Sequence, residues 1–382
     1  MPEPGGALAG VRVLDLADAY GAYASRLLGD LGAEVVRIDG LAGPDPIWPA
    51  PTREGTDLDA LFVNAGKAIL HADSVPEADL EALVRASDVV IEAAGGLDGI
   101  GFDRDRVAAL NPDLVRVTIS PFGGSEPEDG PVDDLLVLAA GGLMHLGGYR
   151  DLGPIGAWGG QSAMAASIFG AVAALVGLIS GRSAFDVSAQ ESVAQALEDS
   201  VAEFALVGTV RDRQGESPRE AGTGTFRCAD GYVSMVAGRL GTARAWSALV
   251  AWLTEADAPG AEVLGDEQWS DFHHRKTPAA IDTFTRVFES FAANRSKESM
   301  YRDAQARGIA LSPVNDVAAI LADRQLAERR FFVEVADENL GRVVFPGPPY
   351  SLSASPLRPP APAQPAGGAT VAAFIRSGGG DG

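Results

Sequence analysis

Gly10-Val-Arg-Val-Leu-Asp-Leu-Ala-Asp-Ala-Tyr20-Gly-Ala-Tyr-Ala-Ser-Arg-Leu-Leu-Gly-Asp30-Leu-Gly-Ala-Glu-Val-Val-Arg-Ile-Asp39 switches its hydrophobic period twice. Val11–Leu16 is a short apolar run of the kind that forms a buried strand. Tyr23–Leu31 places Leu27, Leu28 and Leu31 on one helical side and stops at Gly32, and Glu34–Asp39 reads as a second strand. The alternation continues outward. Strands are predicted at Ala68–His71, Asp88–Glu92 and Leu114–Ser120, with helices at Pro76–Ala86 and Arg104–Leu110 between them. Strand, helix, strand at this spacing requires right-handed crossovers. The fold class is therefore α/β, a doubly wound parallel sheet with helices on both faces.

Further along, a Gly/Pro/acid-rich loop spans Pro121–Pro131, and one apolar helix is expected over roughly Leu135–Met144. A long uncharged helix starts at Ala163, Ala184–Ser188 reads as a strand, and Glu191–Val207 reads as one helix. Arg211–Glu220 is polar and reads as a linker. The texture then changes to a hairpin over Thr225–Val236 and helices carrying Trp246, Trp252, Phe284 and Phe288, the pattern of a smaller second domain. Two strands over Phe331–Phe345 flank a turn at Asp337–Gly341, and Pro356–Pro365 reads as an extended surface tail.

The 382 residues suffice for two or three domains, and 46% apolar content supports a real core. A net charge of −22 repels phosphate backbones and argues against a nucleic-acid partner. Cys228 is the only cysteine, which rules out an intrachain disulfide and fits a reducing, cytoplasmic setting. The start MPEPGG has no basic or apolar leader pattern. The uncharged run Ala163–Ile179 is rich in Ala and Gly rather than Leu, and reads as a tightly packed core helix rather than a membrane span.

The first strand–helix turn, Asp15-Leu-Ala-Asp-Ala-Tyr20, lacks G-x-G-x-x-G and carries two acids, so a dinucleotide site is disfavoured even though Asp39 ends the second strand. His71, His145, His273 and His274 show no metal-ligand spacing, and no metal is expected. His145 stands apart because it lies in a Gly-rich region between Gly123 and Gly160, where backbone approaches a ligand or a second subunit. Asp133-Asp134 precedes an apolar run. Either is a fit helix N-cap, or the pair forms an acid/base couple with one raised pKa.

The order of several landmarks resembles family III CoA-transferases, the group of carnitine and formyl-CoA transferases and 2-methylacyl-CoA racemases. Gly10–Leu16 is similar to the family's opening strand, and Arg26–Asp39 to its first helix and second strand. Asn64-Ala-Gly-Lys67 is similar to N-R-G-K, and Asn111–Gly123 to N-P-x-L-V-Y-V-S-I-S-G-F-G. Ala229-Asp-Gly-Tyr-Val, Pro313-Val-Asn and Phe345-Pro-Gly-Pro-Pro match later landmarks. The resemblance implies a large α/β domain built from both chain ends, here residues 1–210 and 321–382, and a small domain over 215–320. It also implies a homodimer of interlocked rings.

It further implies a chemistry that this chain departs from. The family's transferases attack an acyl-CoA thioester with an aspartate, and counting back from Ala173-Ala174-Leu175 puts that position at Gly159. Trp158, Gly160 and Gln161 offer no comparable nucleophile. The racemases use a His beside an Asp near Pro131–Asp134. Here Asp133 occupies the His position and Asp134 matches the retained acid. Features near CoA are thinned as well, with Ala65 for the Arg of N-R-G-K, Ala93-Ala94-Gly95 for F-R-P, and Ile47-Trp48 near the Arg after G-D-P. Each lost cation removes a charge-assisted contact of about 1.5–3 kcal/mol. Arg37, Asn64 and Lys67 remain.

Three functional readings follow. The first is a repurposed enzyme in which Asp133, Asp134, His145 and Gln161 carry acid/base chemistry on a carboxylate or polyfunctional metabolite, with Trp158, Arg37, Asn64 and Lys67 holding the substrate. The second is a CoA-transferase with a displaced Asp nucleophile. The third is a non-catalytic subunit paired with an active paralogue. No cofactor is required, and CoA or an acyl-CoA is a weakened ligand. The expected partners are a small-molecule substrate and a second subunit, identical or paralogous, and no membrane.

Overall fold

The computed structural model describes residues 6–41, 51–124, 132–181, 184–213, 215, 218–239 and 242–376. Fourteen strands occur among them. They are β1 (Arg12–Leu16), β2 (Glu34–Asp39), a short hairpin of β3 (Thr52–Arg53) and β4 (Thr56–Asp57), β5 (Ala68–His71), β6 (Val89–Glu92), β7 (Val115–Ser120), β8 (Ala184–Ser188), β9 (Thr223–Cys228), β10 (Gly231–Val236), β11 (Ala310–Pro313), β12 (Phe332–Asp337), β13 (Gly341–Pro346) and β14 (Gln364–Pro365). Seven form one sheet in the order β14-β5-β2-β1-β6-β7-β8, every pair parallel. The order reverses at β1, so the sheet is doubly wound.

The helices between the strands are α1 (Ala22–Asp30), α2 (Leu58–Val63), α3 (Glu77–Ala86), α4 (Gly96–Gly99), α5 (Arg104–Leu110), α6 (Asp134–Ala140), α7 (Leu143–Leu146) and α8 (Gln161–Ser180), and α9 (Ala189–Gln195) and α10 (Glu198–Val207) follow β8. Because successive strand side chains point to opposite faces, β1 feeds two cores. Val13 packs with Leu28 of α1, Val117 of β7 and Ala166 of α8. Leu14 and Leu16 pack with Leu83 of α3, Val107 of α5 and Phe374 of the last helix.

The long uncharged helix α8 is long and apolar enough to cross a membrane by composition, yet its small residues Ala163, Ala166, Gly170, Ala174 and Gly177 are buried in the fold. A Cβ built on Gly170 would stand 2.3 Å from Ile119 Cδ1, and one on Gly177 would stand 2.4 Å from Val115 Cγ1. The small residues let the helix lie directly on the sheet.

Three expectations change. The helix expected over 135–144 is two, α6 and α7, broken where Gly142 takes φ +86. The helix expected over 191–207 is likewise α9 and α10, divided at Ala196–Leu197. The Pro-rich segment is no mere surface tail, since β14 pairs with β5 through Gln364 and Pro365 and adds the outermost strand of the sheet. Proline is tolerated at such an edge because its missing N–H faces outward.

The chain divides into two compact units. One comprises Met1–Gly147, Ile155–Arg211 and Arg324–Gly382, and contains the parallel sheet. The other comprises Gly148–Pro154 and Asp212–Asp323. In it the antiparallel sheet β11-β10-β9 packs Phe226, Val233 and Met235 against Trp246, Phe284, Phe288 and Phe291. Buried Arg275 lies with its guanidinium 4.8 Å from the Trp246 ring centre. In the first unit both chain ends meet. Arg26 of α1 is buried, donates to the Phe62 carbonyl, and sits 4.0 Å from the Phe62 ring centre and 5.9 Å from that of Phe345 on β13.

Candidate functional site

In open α/β sheets, ligands bind beyond the carboxyl ends of the strands, near the point where strand order reverses. A cleft of about 490 Å³ occupies such a place in the first unit. Ala19 and Ala22 follow β1, Arg37 and Asp39 belong to β2, Asp57, Asp59, Ala60, Phe62, Val63 and Asn64 come from α2 and its approach, and Trp158, Gly159, Gly160, Gln161, Ala163 and Met164 come from the start of α8 and the turn before it. Phe62, Val63, Ala163, Met164 and Trp158 form apolar wall, and Arg37, Asn64 and Gln161 offer polar groups. A second groove of about 540 Å³ runs along Glu328–Phe331 and the return segment to Pro360, away from these strand ends.

A buried charged cluster meets the cleft lining at Arg37, Asn64 and Ala22. Asp15, fully buried, receives Lys67 Nζ at 2.8 Å and Ser25 Oγ at 2.6 Å on Oδ2. Arg37 lies 3.3 Å from its Oδ1. Burial pushes the Asp15 carboxyl upward, but Lys67 and then Arg37 outweigh it and hold the group below the usual carboxylate range. Burial likewise pushes the Lys67 ammonium down to about 8 against the pull of Asp15. Arg37 is held more firmly charged than usual: burial opposes this, and Asp15 and Asp39 prevail. Lys67 also donates to the Ala22 carbonyl at 2.7 Å and to Asn64 Oδ1 at 3.0 Å.

Of the residues singled out from sequence, Arg37, Asn64, Trp158, Gly159 and Gln161 line the cleft together. Lys67 does not. It is 1% exposed, and its ammonium is engaged by Asp15, the Ala22 carbonyl and Asn64. Asp133, Asp134 and His145 are also outside the lining. Asp133 caps α6 by accepting from the Leu135 N–H at 2.7 Å. Asp134 is buried, and its Oδ1 accepts from both the N–H and the hydroxyl of Ser162. His145 is exposed on α7, with Nε2 3.1 Å from the Arg211 carbonyl oxygen. Pro131 and Ile47-Trp48 lie outside the described residues.

Gly159 has φ +74, in the left-handed region that glycine favours, and a Cβ there would meet only Gln161 Nε2 at 3.8 Å. Trp158, Gly160 and Gln161 bring no carboxylate, so a one-residue shift of the alignment leaves the stretch equally without one. Gln161 turns its amide nitrogen back to the Trp158 carbonyl at 3.1 Å, and the Trp158 indole is 80% exposed.

Asp57 and Asp59 were missed from sequence, and Asp39 was weighed only as a ribose ligand, yet all three line the cleft. Their signal was the run Thr56-Asp-Leu-Asp59, which reads as ordinary helix-start chemistry; Asp57 is indeed the N-cap of α2. Among the described residues no group of three or more His, Cys, Asp or Glu is placed to hold a metal ion.

The comparisons agree with this architecture. The CoA-transferase family III model matches residues 8–370. The chain is 32% identical over 361 residues to the succinyl-CoA:(R)-benzylsuccinate CoA-transferase subunit BbsE of Thauera aromatica, covering 89% of this chain and 87% of that one. It is 27% identical to the succinyl-CoA–L-malate CoA-transferase alpha subunit of Chloroflexus aurantiacus, over 95% of this chain and 87% of that one. A solved CAIB/BAIF family protein from Brucella suis shares the fold, with a TM-score of 0.81 at 24% identity over 97% of this chain and all of the other. The match over nearly the whole length, on a doubly wound sheet whose strand ends carry the cleft, shows that the chain belongs to CoA-transferase family III.

Proposed function

We propose that this chain is the subunit without a nucleophile in a two-subunit CoA-transferase. The observation that carries the reading is the backbone over Trp158–Gln161. It enters the cleft through a left-handed glycine and brings no carboxylate, while the nearby buried acid Asp134 is engaged by Ser162. Chemistry that begins with a carboxylate attacking a thioester then falls to a second subunit that has one. Two relatives support the reading, since the printed names of the Thauera and Chloroflexus proteins are those of subunits. An apolar face supports it too. Ile168, Val172, Val176 and Ile179 recur at helical spacing along α8 and are exposed in the single chain, as are Val201, Phe204 and Val207 of α10. Rows of exposed apolar side chains on a helix fit an association face.

The test is expression alone and together with a family III paralogue that keeps the aspartate. Alone, the purified chain should transfer no CoA from succinyl-CoA to a dicarboxylate. Together the two should co-purify and transfer, and hydroxylamine trapping should modify an aspartate of the paralogue. Turnover by the isolated chain, or a trapped adduct on one of its own acids, would overturn the reading.

A second reading, acid/base chemistry on a small carboxylate, is favoured by one feature: the cleft stays open and keeps Arg37, Asn64 and Gln161. It predicts turnover of a carboxylate by the isolated chain without any thioester.

A further inference from the structure

The second groove, of about 540 Å³, begins at Glu328, Arg329 and Arg330, where the short helix Arg324–Glu328 ends. Arg358 stands on its other wall and donates to the Gly32 and Ala33 carbonyls, each at 3.2 Å. Those two residues immediately precede β2, so the groove lies at the amino ends of the strands, opposite the cleft.

Its backbone is strained at one point. Arg330 has φ +52, in the left-handed region. The Arg330 N–H donates to the Ala327 carbonyl and the Phe331 N–H to the Leu326 carbonyl, each at 3.0 Å. This is the helix ending at which glycine is the usual residue, because a side chain there is strained. Strain kept where glycine would relieve it points to a use for the side chain.

The charge of the groove is one-sided. Glu328 is the one carboxylate among the described lining residues, and Arg324 lies 3.2 Å from it. Arg358 acts on the Asp30 carboxyl, whose pKa it pulls downward. Among the described residues the Arg329 and Arg330 guanidiniums make no ion pair or hydrogen bond. Two such cations reverse locally the field of a chain that carries −22. Phe331, Val333, Leu352 and Leu357 supply apolar wall. Burial, then Asp30, raises the pKa of the Tyr350 hydroxyl in the lining, which keeps it a donor.

We propose that this groove is a second ligand site, which takes a small dianion carrying an apolar group. The anionic end, a phosphate monoester or a pair of carboxylates, meets Arg329 and Arg330, whose planar guanidiniums suit either. The apolar part lies along Phe331 and Leu357.

Calorimetric titration of the full-length chain with phenyl phosphate and with phthalate tests this, with inorganic phosphate, succinate and benzyl alcohol as the separate parts. At least one composite anion should bind about tenfold more tightly than its parts, and less tightly as salt is added. The tighter of the two identifies the anionic group. Arg329→Ala should weaken that binding about tenfold. Arg330→Gly should do the same while melting no lower than the natural chain, which separates a lost contact from lost folding. Composite anions that bind no better than their parts would overturn the proposal. Affinity unchanged in both variants would overturn it too, by placing the binding elsewhere. None of these outcomes depends on which subunit supplies the aspartate for transfer.

Discussion

Asp134 Oδ1 accepts from the Ser162 N–H at 2.7 Å and from the Ser162 hydroxyl at 2.6 Å, tying the start of α6 to the first turn of α8. No side chain of the N-cap residue Gly160 caps α8, so Asp134 supplies from another helix what a local cap would normally supply. A buried acid that sequence reasoning would place in acid/base chemistry is thereby engaged in holding the wall of the cleft.

Asp134→Ala should therefore lower unfolding free energy by about 2 kcal/mol, the sum of a lost cap and a buried hydroxyl left without its acceptor. Asp134→Asn, which still accepts, should recover most of it. Urea denaturation of the three proteins checks this. A catalytic acid would instead show full stability and lost turnover in the Asn variant.

Gly170 has no room for a side chain, with Ile119 Cδ1 2.3 Å from where a Cβ would sit. Gly170→Val should push α8 off the sheet and cost about 2–3 kcal/mol. Gly181, which ends α8 at φ +66 with open space around it, is the contrasting site, where a side chain meets backbone strain but no packing clash. Thermal melts of variants at both positions give the comparison.

The buried cluster of Asp15, Lys67 and Arg37 should behave as a unit. Lys67→Met leaves the Asp15 carboxylate buried with Arg37 as its remaining cationic partner, and should cost about 3 kcal/mol or more. Asp15→Asn combined with Lys67→Met should cost less than the two single changes together, which a double-mutant cycle measures.

Asp30 sets a pH dependence. Burial raises its pKa from 3.8 to about 6, against the opposing pull of Arg26 and Arg358. The folded chain thus binds this proton more tightly than the unfolded chain does. Its contribution to stability falls as pH rises from about 4 to about 6 and is constant on either side. Denaturation across that window should show this slope, and Asp30→Asn should flatten it.

Restoring a carboxylate at the left-handed position, Gly159→Asp, should cost only about 1 kcal/mol, because Asp tolerates this backbone better than most residues and the space is open. The isolated variant should then form an acyl adduct from succinyl-CoA that the natural chain does not, as read by intact mass after hydroxylamine. Efficient adduct formation would show that the missing nucleophile alone silences the chain.

The alternation of apolar strand and amphipathic helix over Val11–Asp39 determined the parallel sheet, because a buried parallel strand needs a continuous apolar run and its crossover needs a helix. The lack of any carboxylate over Trp158–Gln161 was equally plain, since it is a matter of residue identity. Which polar groups meet was not legible. Lys67 and Asp134 look like site residues in a linear reading, and only the packed chain shows Lys67 held by Asp15 and Asp134 held by Ser162, across separations of 52 and 28 residues. Conversely Asp57 and Asp59 read as an ordinary helix start, and became walls of a cleft only when α2 was set beside β2 and α8. Local periodicity encodes elements because it depends on neighbours along the chain. The charge and openness of a cleft depend on side chains brought together from distant segments, and tertiary packing alone decides them.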